Sequence, residues 1–141
     1  MGIELVPLCE IDIVLADPIF VGDGSQGLRL IYEVASTKVT GERLRGTGVG
    51  NASADWVLVH GDVATVDVRC TFQTDDGALV LATYRGRTNL AGTPVTEAGA
   101  IYVAPTFETG DERYAWLNSV QAVGKGALDG TDLHYEWYEV R

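Results

Sequence analysis

Asp67-Val68-Arg69-Cys70-Thr71-Phe72-Gln73-Thr74-Asp75-Asp76-Gly77-Ala78-Leu79-Val80-Leu81-Ala82-Thr83-Tyr84-Arg85-Gly86 joins two β-patterned runs through Asp-Asp-Gly, the signature of a hairpin. With Asp76-Gly77 as a two-residue loop, Thr71 falls opposite Ala82, Arg69 opposite Tyr84 and Asp67 opposite Gly86. All six share one face, because strand side chains alternate with period two. The other face then carries Val66, Val68, Cys70 and Phe72 against Leu81, Thr83 and Arg85. Gly86 and Ala82 vacate volume beside an acid, a guanidinium and a phenol, which is what a pocket wall needs. The competing reading is an exposed face with a surface Asp67/Arg69 pair. A three-residue turn would offset the pairing and disperse the cluster.

The chain has 141 residues, the size of one domain (1–141) and enough to bury roughly two-thirds of its unfolded surface. Ten Lys plus Arg against twenty Asp plus Glu give a net charge of −10, which repels nucleic-acid phosphates and anionic membrane surfaces. The N-terminus Met1-Gly2-Ile3-Glu4 has no basic region, and no run approaches the roughly 18 apolar residues of a membrane span. A soluble, unexported, cytoplasmic protein with neither nucleic acid nor membrane as partner is expected. Cys9 and Cys70 alternate with polar residues in strand-like runs, which suits small buried hydrophobes better than a disulfide. His60 and His134 stand without close ligand spacing, so no metal is expected.

Outward from the hairpin, Ile3 to Leu15 alternates as a long strand, with Pro7 at an edge or bulge. Ala16 to Gly27 has the chemistry of a loop, with Ile19, Phe20 and Val21 at its tip. Leu28 to Ala35 and Lys38 to Gly46 read as a second hairpin turning at Ser36-Thr37. Gly46-Thr47-Gly48-Val49-Gly50-Asn51 resembles a phosphate loop, but the following Asp55-Trp56-Val57-Leu58-Val59 is strand-like, and such loops need a helix start there. Arg87 to Gly99 has no clear period and is the candidate lid. Tyr114 to Val123 fits a helical stripe (Leu117, Val120, Gly124) or a strand face (Tyr114, Trp116, Asn118, Val120). Thr131 to Val140 closes the chain as a strand. About nine strands and no long helix predict an all-β antiparallel barrel, with a closed interior for one small ligand.

Several phrases recur together in order: Gly41-Glu42-Arg43-Leu44-Arg45-Gly46, Ala54-Asp55-Trp56, Val66-Asp67-Val68-Arg69, Thr74-Asp75-Asp76-Gly77-Ala78, Tyr84-Arg85-Gly86, Phe107-Glu108-Thr109 and Tyr114-Ala115-Trp116-Leu117-Asn118. Together they resemble the domain-of-unknown-function 3237 family. The resemblance implies a small all-β barrel of the lipocalin or allene-oxide-cyclase type, often a homodimer, and brings no established reaction. It favours the strand reading of Tyr114 to Val123.

Three functions compete. The first is a cofactor-independent acid–base enzyme, of isomerase, cyclase, lyase or hydratase type, acting on a small, partly apolar or aromatic molecule inside the barrel. Asp55 or Asp67 would be its acid or base, the pKa raised by burial. Arg69 and Arg29 would hold a carboxylate, enolate or phenolate, and Tyr84 and Asn118 would donate to developing oxyanion charge. Trp56, Phe107, Tyr114 and Trp116 would form apolar walls. The second is a binding barrel with no turnover. The third is a structural dimer in which these residues are core and contact groups. The chain has no Gly-x-Ser-x-Gly elbow and no paired histidines, which argues against hydrolase and metalloenzyme readings.

Overall fold

The computed structural model describes residues 1–141. Its strands are β1 (Leu5–Leu15), β2 (Ile19–Gly24), β3 (Gly27–Thr40), β4 (Gly46–Gly48), β5 (Ala54–His60), β6 (Val63–Thr74), β7 (Leu79–Asn89), β8 (Ile101–Val103), β9 (Thr106–Glu108), β10 (Ala122–Asp129) and β11 (Asp132–Val140). All pair antiparallel in one 11-stranded sheet. Strands β1, β3, β5, β6, β7, β8, β10 and β11 close it into a ring, with β6 against β7 completing the circuit. Closure satisfies every strand in the ring on both sides, which removes its edges.

The alternation read from the sequence decides what fills the ring. Leu30, Val57, Val66, Val68, Phe72, Val80, Tyr84 and Tyr135 are buried in one core cluster. Tyr84 sits edge-on to Tyr135 and Trp137, with centroids 5.8 Å and 5.2 Å away. An eight-stranded ring has an interior of about this capacity. The barrel centre is therefore filled by side chains, where the sequence suggested an interior open to one small ligand.

The central hairpin forms, with a register one residue from the expected one. Val68 lies opposite Tyr84, Asp67 opposite Arg85 and Arg69 opposite Thr83. The loop holds three residues, because Thr74 N–H donates to the Ala78 carbonyl (2.8 Å) and Gly77 takes φ +97°. The Thr74 hydroxyl favours this loop by accepting from Ala78 N–H at 2.8 Å and donating to Asp76 at 2.6 Å. The slip turns Tyr84 into the core and leaves Asp67 and Arg69 on the outer wall, so the predicted Asp67–Arg69–Tyr84 set does not exist.

Three further expectations are corrected. Residues 19–24 form β2, paired with the start of β3, and are not a loop. No turn occurs at Ser36-Thr37: β3 runs through it, pairing with β2 and β5 first and with β1 and β4 afterwards. Glu112–Ser119 is a 3₁₀ helix capped by Asp111, which accepts from Arg113 N–H at 3.0 Å, so the strand reading there fails. It is kinked at Tyr114, whose φ of −118° and ψ of 16° are not helical, and it buries Leu117, with Val120 buried at its C-cap three residues on. Three is the 3₁₀ repeat. In the candidate lid, Arg87 to Asn89 belong to β7, and Leu90 and Ala98 are buried against the core.

Candidate functional site

Two glycines shape the outer wall. A Cβ on Gly86 would lie 2.0 Å from the Tyr102 carbonyl oxygen, and one on Gly124 would lie 2.4 Å from the Trp137 ring. Their absence lets β7, β8 and β10 approach and curl tightly, as glycine kinks do in coiled sheets. The outside of the sheet is concave there. A groove of about 1010 Å³ crosses it, with Gly86 and Gly124 themselves in its lining. The room that Gly86 signals in the sequence is thus curvature, and it opens outward.

The groove is lined by Arg29 from β3, Arg85 and Arg87 from β7 and Lys125 from β10, with one carboxylate, Asp67 from β6. Four of the ten basic residues of a chain with net charge −10 therefore gather in one concavity. Trp56, Tyr102 and Tyr138 supply aromatic surface. Arg85 Nε lies 3.5 Å from Asp67 Oδ1, with both side chains substantially exposed, so the pair is a weak, solvated one. Lys125 Nζ lies 5.9 Å above the Tyr102 ring. Such a wall suits a flat molecule with an anionic end: guanidinium groups hold carboxylate or phenolate oxygens and the rings cover the apolar part.

Beneath Asp67 the β5–β6 ladder is interrupted. Ala54/Arg69, Asp55/Val68 and Leu58/Thr65 pair, but Trp56 and Val57 make no ladder pair with Asp67 and Val66. The Asp67 N–H donates instead to Asp55 Oδ1 at 3.0 Å, and the Trp56 carbonyl accepts from Arg29 Nη1 at 3.1 Å. Asp55 is 7 % exposed. Burial is the main cause that pushes its carboxyl up to about 7. The Asp67 N–H opposes that rise, and the nearby Asp67 charge adds to it.

The sequence-predicted residues therefore separate into four places. Arg29, Trp56 and Asp67 come together in the groove, with Asp55 under its floor. Tyr84 and Phe107 lie in the core. Tyr84 is held well above the usual phenol range, chiefly by burial, and touches nothing in the groove. Arg69 is exposed on the outer wall and does not line the groove. Tyr114, Trp116 and Asn118 belong to the 3₁₀ helix, where they tie it to the barrel. Tyr114 donates to Asp76 at 2.9 Å, Arg43 stacks on Trp116 at 5.2 Å, and Asn118 bonds the Thr109 main chain at 2.9 and 3.0 Å. Those bonds place Asn118 outside the groove lining.

Sequence reading missed Arg85, Arg87, Tyr102, Lys125 and Tyr138. Their signal was the alternation itself, since each shares the parity of the outward residues on its strand. His134 also has neighbours that sequence spacing hid: its Nδ1 is 2.7 Å from Asp12 and its Nε2 3.8 Å from Glu10, across β1 and β11. Glu10, His134 and Glu136 are all exposed, and the cluster borders the groove, since Glu136 lies opposite Lys125 and accepts from the Tyr138 hydroxyl at 3.2 Å.

Three known proteins resemble the chain. The hydroalkoxylation enzyme phnH of Penicillium herquei is 30% identical over 109 residues, which is 76% of this chain and 64% of that protein. A UPF0311 protein of Rhodopseudomonas palustris is 27% identical over 124 residues, 80% of each. The crystal structure of a β-barrel-like protein from Acinetobacter baumannii superposes with a TM-score of 0.88 at 28% identity, covering 100% of this chain and 98% of that one. The chain thus spans less than two-thirds of the fungal enzyme and nearly all of the bacterial barrel. Residues 3–140 match the family described as Protein of unknown function (DUF3237), and the chain belongs to that family.

Proposed function

We propose that the protein is an acid–base enzyme acting in the outer groove on a small, partly aromatic molecule that carries or develops an oxyanion. The observation that supports this most is that Arg29, Arg85, Arg87 and Lys125 line one groove together with the carboxylate of Asp67 and the rings of Trp56, Tyr102 and Tyr138. The resemblance to a hydroalkoxylation enzyme fits the same chemistry. Hydroalkoxylation adds an O–H across a carbon–carbon double bond. In this reading Asp67 takes the hydroxyl proton, and the guanidinium groups hold the resulting oxyanion while it attacks one alkene carbon. The proton then returns to the other carbon. Only protons move, so the step asks nothing of a redox cofactor. The alternative, a barrel that binds the same class of molecule without turnover, uses the same cations and rings.

The test is turnover of ortho-alkenyl phenols in deuterated water, followed by mass spectrometry and chromatography. The expected product is a cyclic ether isomer carrying one deuterium on carbon. Asp67→Asn is expected to lower turnover by about two to four orders of magnitude, the usual loss for a proton-transferring group. Binding of these phenols without turnover would favour the binding barrel, and neither binding nor turnover would remove the groove as the site.

A further inference from the structure

In a regular antiparallel ladder the Asp67 N–H would meet the Trp56 carbonyl, since the register on either side sets those residues opposite one another. Both groups are satisfied elsewhere, by Asp55 Oδ1 and by Arg29 Nη1. A strand pair that zips on either side, including at the groove-lining pair Leu58/Thr65, is kept apart at the groove-lining pair Trp56/Asp67. Two side chains of opposite charge do this from opposite faces, with Asp55 buried on the core side and Arg29 on the groove side.

We infer that Asp55 is a positioning residue for the groove: its charged carboxylate holds the Asp67 amide away from the Trp56 carbonyl, and loss of that charge lets the two close into an ordinary ladder bond. The carboxylate is the stronger acceptor, because a hydrogen bond to a charged group outweighs a neutral amide–carbonyl one. Closure returns the Trp56 carbonyl to β6, frees Arg29 from it, and moves Asp67 and Trp56 together at the groove floor. The other titratable groups facing Asp55 are Tyr32 from β3, Tyr84 from β7, Tyr135 from β11 and the Asp67 carboxylate from β6. The three phenols are all raised, chiefly by burial, and so stay protonated through neutral pH. Asp55 is thus the buried group there that changes charge near neutrality, and its pKa of about 7 places the change where small pH shifts alter the population. The inference locates a control on the groove proposed above as the site, but the contacts it concerns exist without substrate.

The test is a ligand-free NMR titration of the full chain from about pH 5 to about pH 9, spanning that value. The Asp67 amide proton and the Trp56 carbonyl carbon are expected to move together with one midpoint near 7. In Asp55→Asn, which keeps an acceptor oxygen and loses the charge, both are expected to stay at their low-pH wild-type positions throughout. Asp67→Asn removes the neighbouring carboxylate as a source of the midpoint, and the titration is expected to persist in it. The inference is overturned if the Asp67 amide does not titrate, if it titrates equally in Asp55→Asn, or if it moves while the Trp56 carbonyl stays still. Should Asp55→Asn fail to fold, the paired movement in wild type and in Asp67→Asn decides the matter. No result of the phenol assay alters this titration, so the two readings fail separately.

Discussion

At the residue scale, Asp55 is buried while the Asp67 side chain is substantially exposed. A buried carboxyl raised from its ordinary value to about 7 binds its proton more tightly folded than unfolded. The stability it contributes is therefore complete below about pH 4 and is lost as pH rises through about 7, a change on the order of 4 kcal/mol. Asp55→Asn has no such dependence. Urea midpoints for wild type and Asp55→Asn are expected to diverge in favour of the variant between about pH 5 and about pH 8, and parallel midpoints would contradict the raised carboxyl. Asp67 behaves differently because its partner Arg85 is solvated: Asp67→Ala is expected to cost less than about 1 kcal/mol, measured by denaturant unfolding. A cost of several kcal/mol would mean a buried pair.

At the element scale, alternation made most strands legible, and one turn misplaced a site. Thr74, Asp76 and Gly77 together select a three-residue loop, but the hydroxyl bond that settles it joins Thr74 to Ala78, outside the Asp-Gly pair that carries the hairpin signal. One residue of slip moves every side chain to the opposite face, which is why Tyr84 and Asp67 parted. Thr74→Val is expected to destabilise the protein by about 1–3 kcal/mol, because it leaves the buried Ala78 N–H unpaired, and thermal unfolding would measure it. The 3₁₀ helix was half legible: Leu117 and Val120 fit a helical stripe, Tyr114 and Trp116 fit a strand face equally well, and the family resemblance tips the reading to strand. Gly86 was legible as a position lacking bulk, but not as a kink, since only the close approach of Tyr102 explains it. Gly86→Ala is expected to cost about 3 kcal/mol or more, at the upper end for overpacking, because backbone rather than a mobile side chain occupies the space. Tolerance of alanine in the same thermal assay would show that β7 and β8 can separate.

At the scale of the whole molecule, an acidic protein holds four cations in one concavity, so the groove's field opposes that of the surface around it. Anionic ligands meet long-range repulsion and short-range attraction, and only the first is strongly screened by salt. Their arrival should accelerate with added salt up to the range where contacts to Arg29 and Arg85 themselves weaken, a profile that stopped-flow binding would record. The ring of strands was predictable because alternation over many segments repeats one message; the groove was not, because it arises where distant strands curl toward each other. The most direct measurement is amide chemical-shift perturbation by 4-hydroxycinnamate, a flat phenol with a carboxylate. We expect the largest shifts at Arg29, Trp56, Asp67, Arg85, Tyr102 and Lys125, and their loss in the double variant Arg29→Gln, Arg85→Gln. Shifts centred on the core around Tyr84 and Tyr135, or on the 3₁₀ helix at Trp116, would contradict the outer groove as the site.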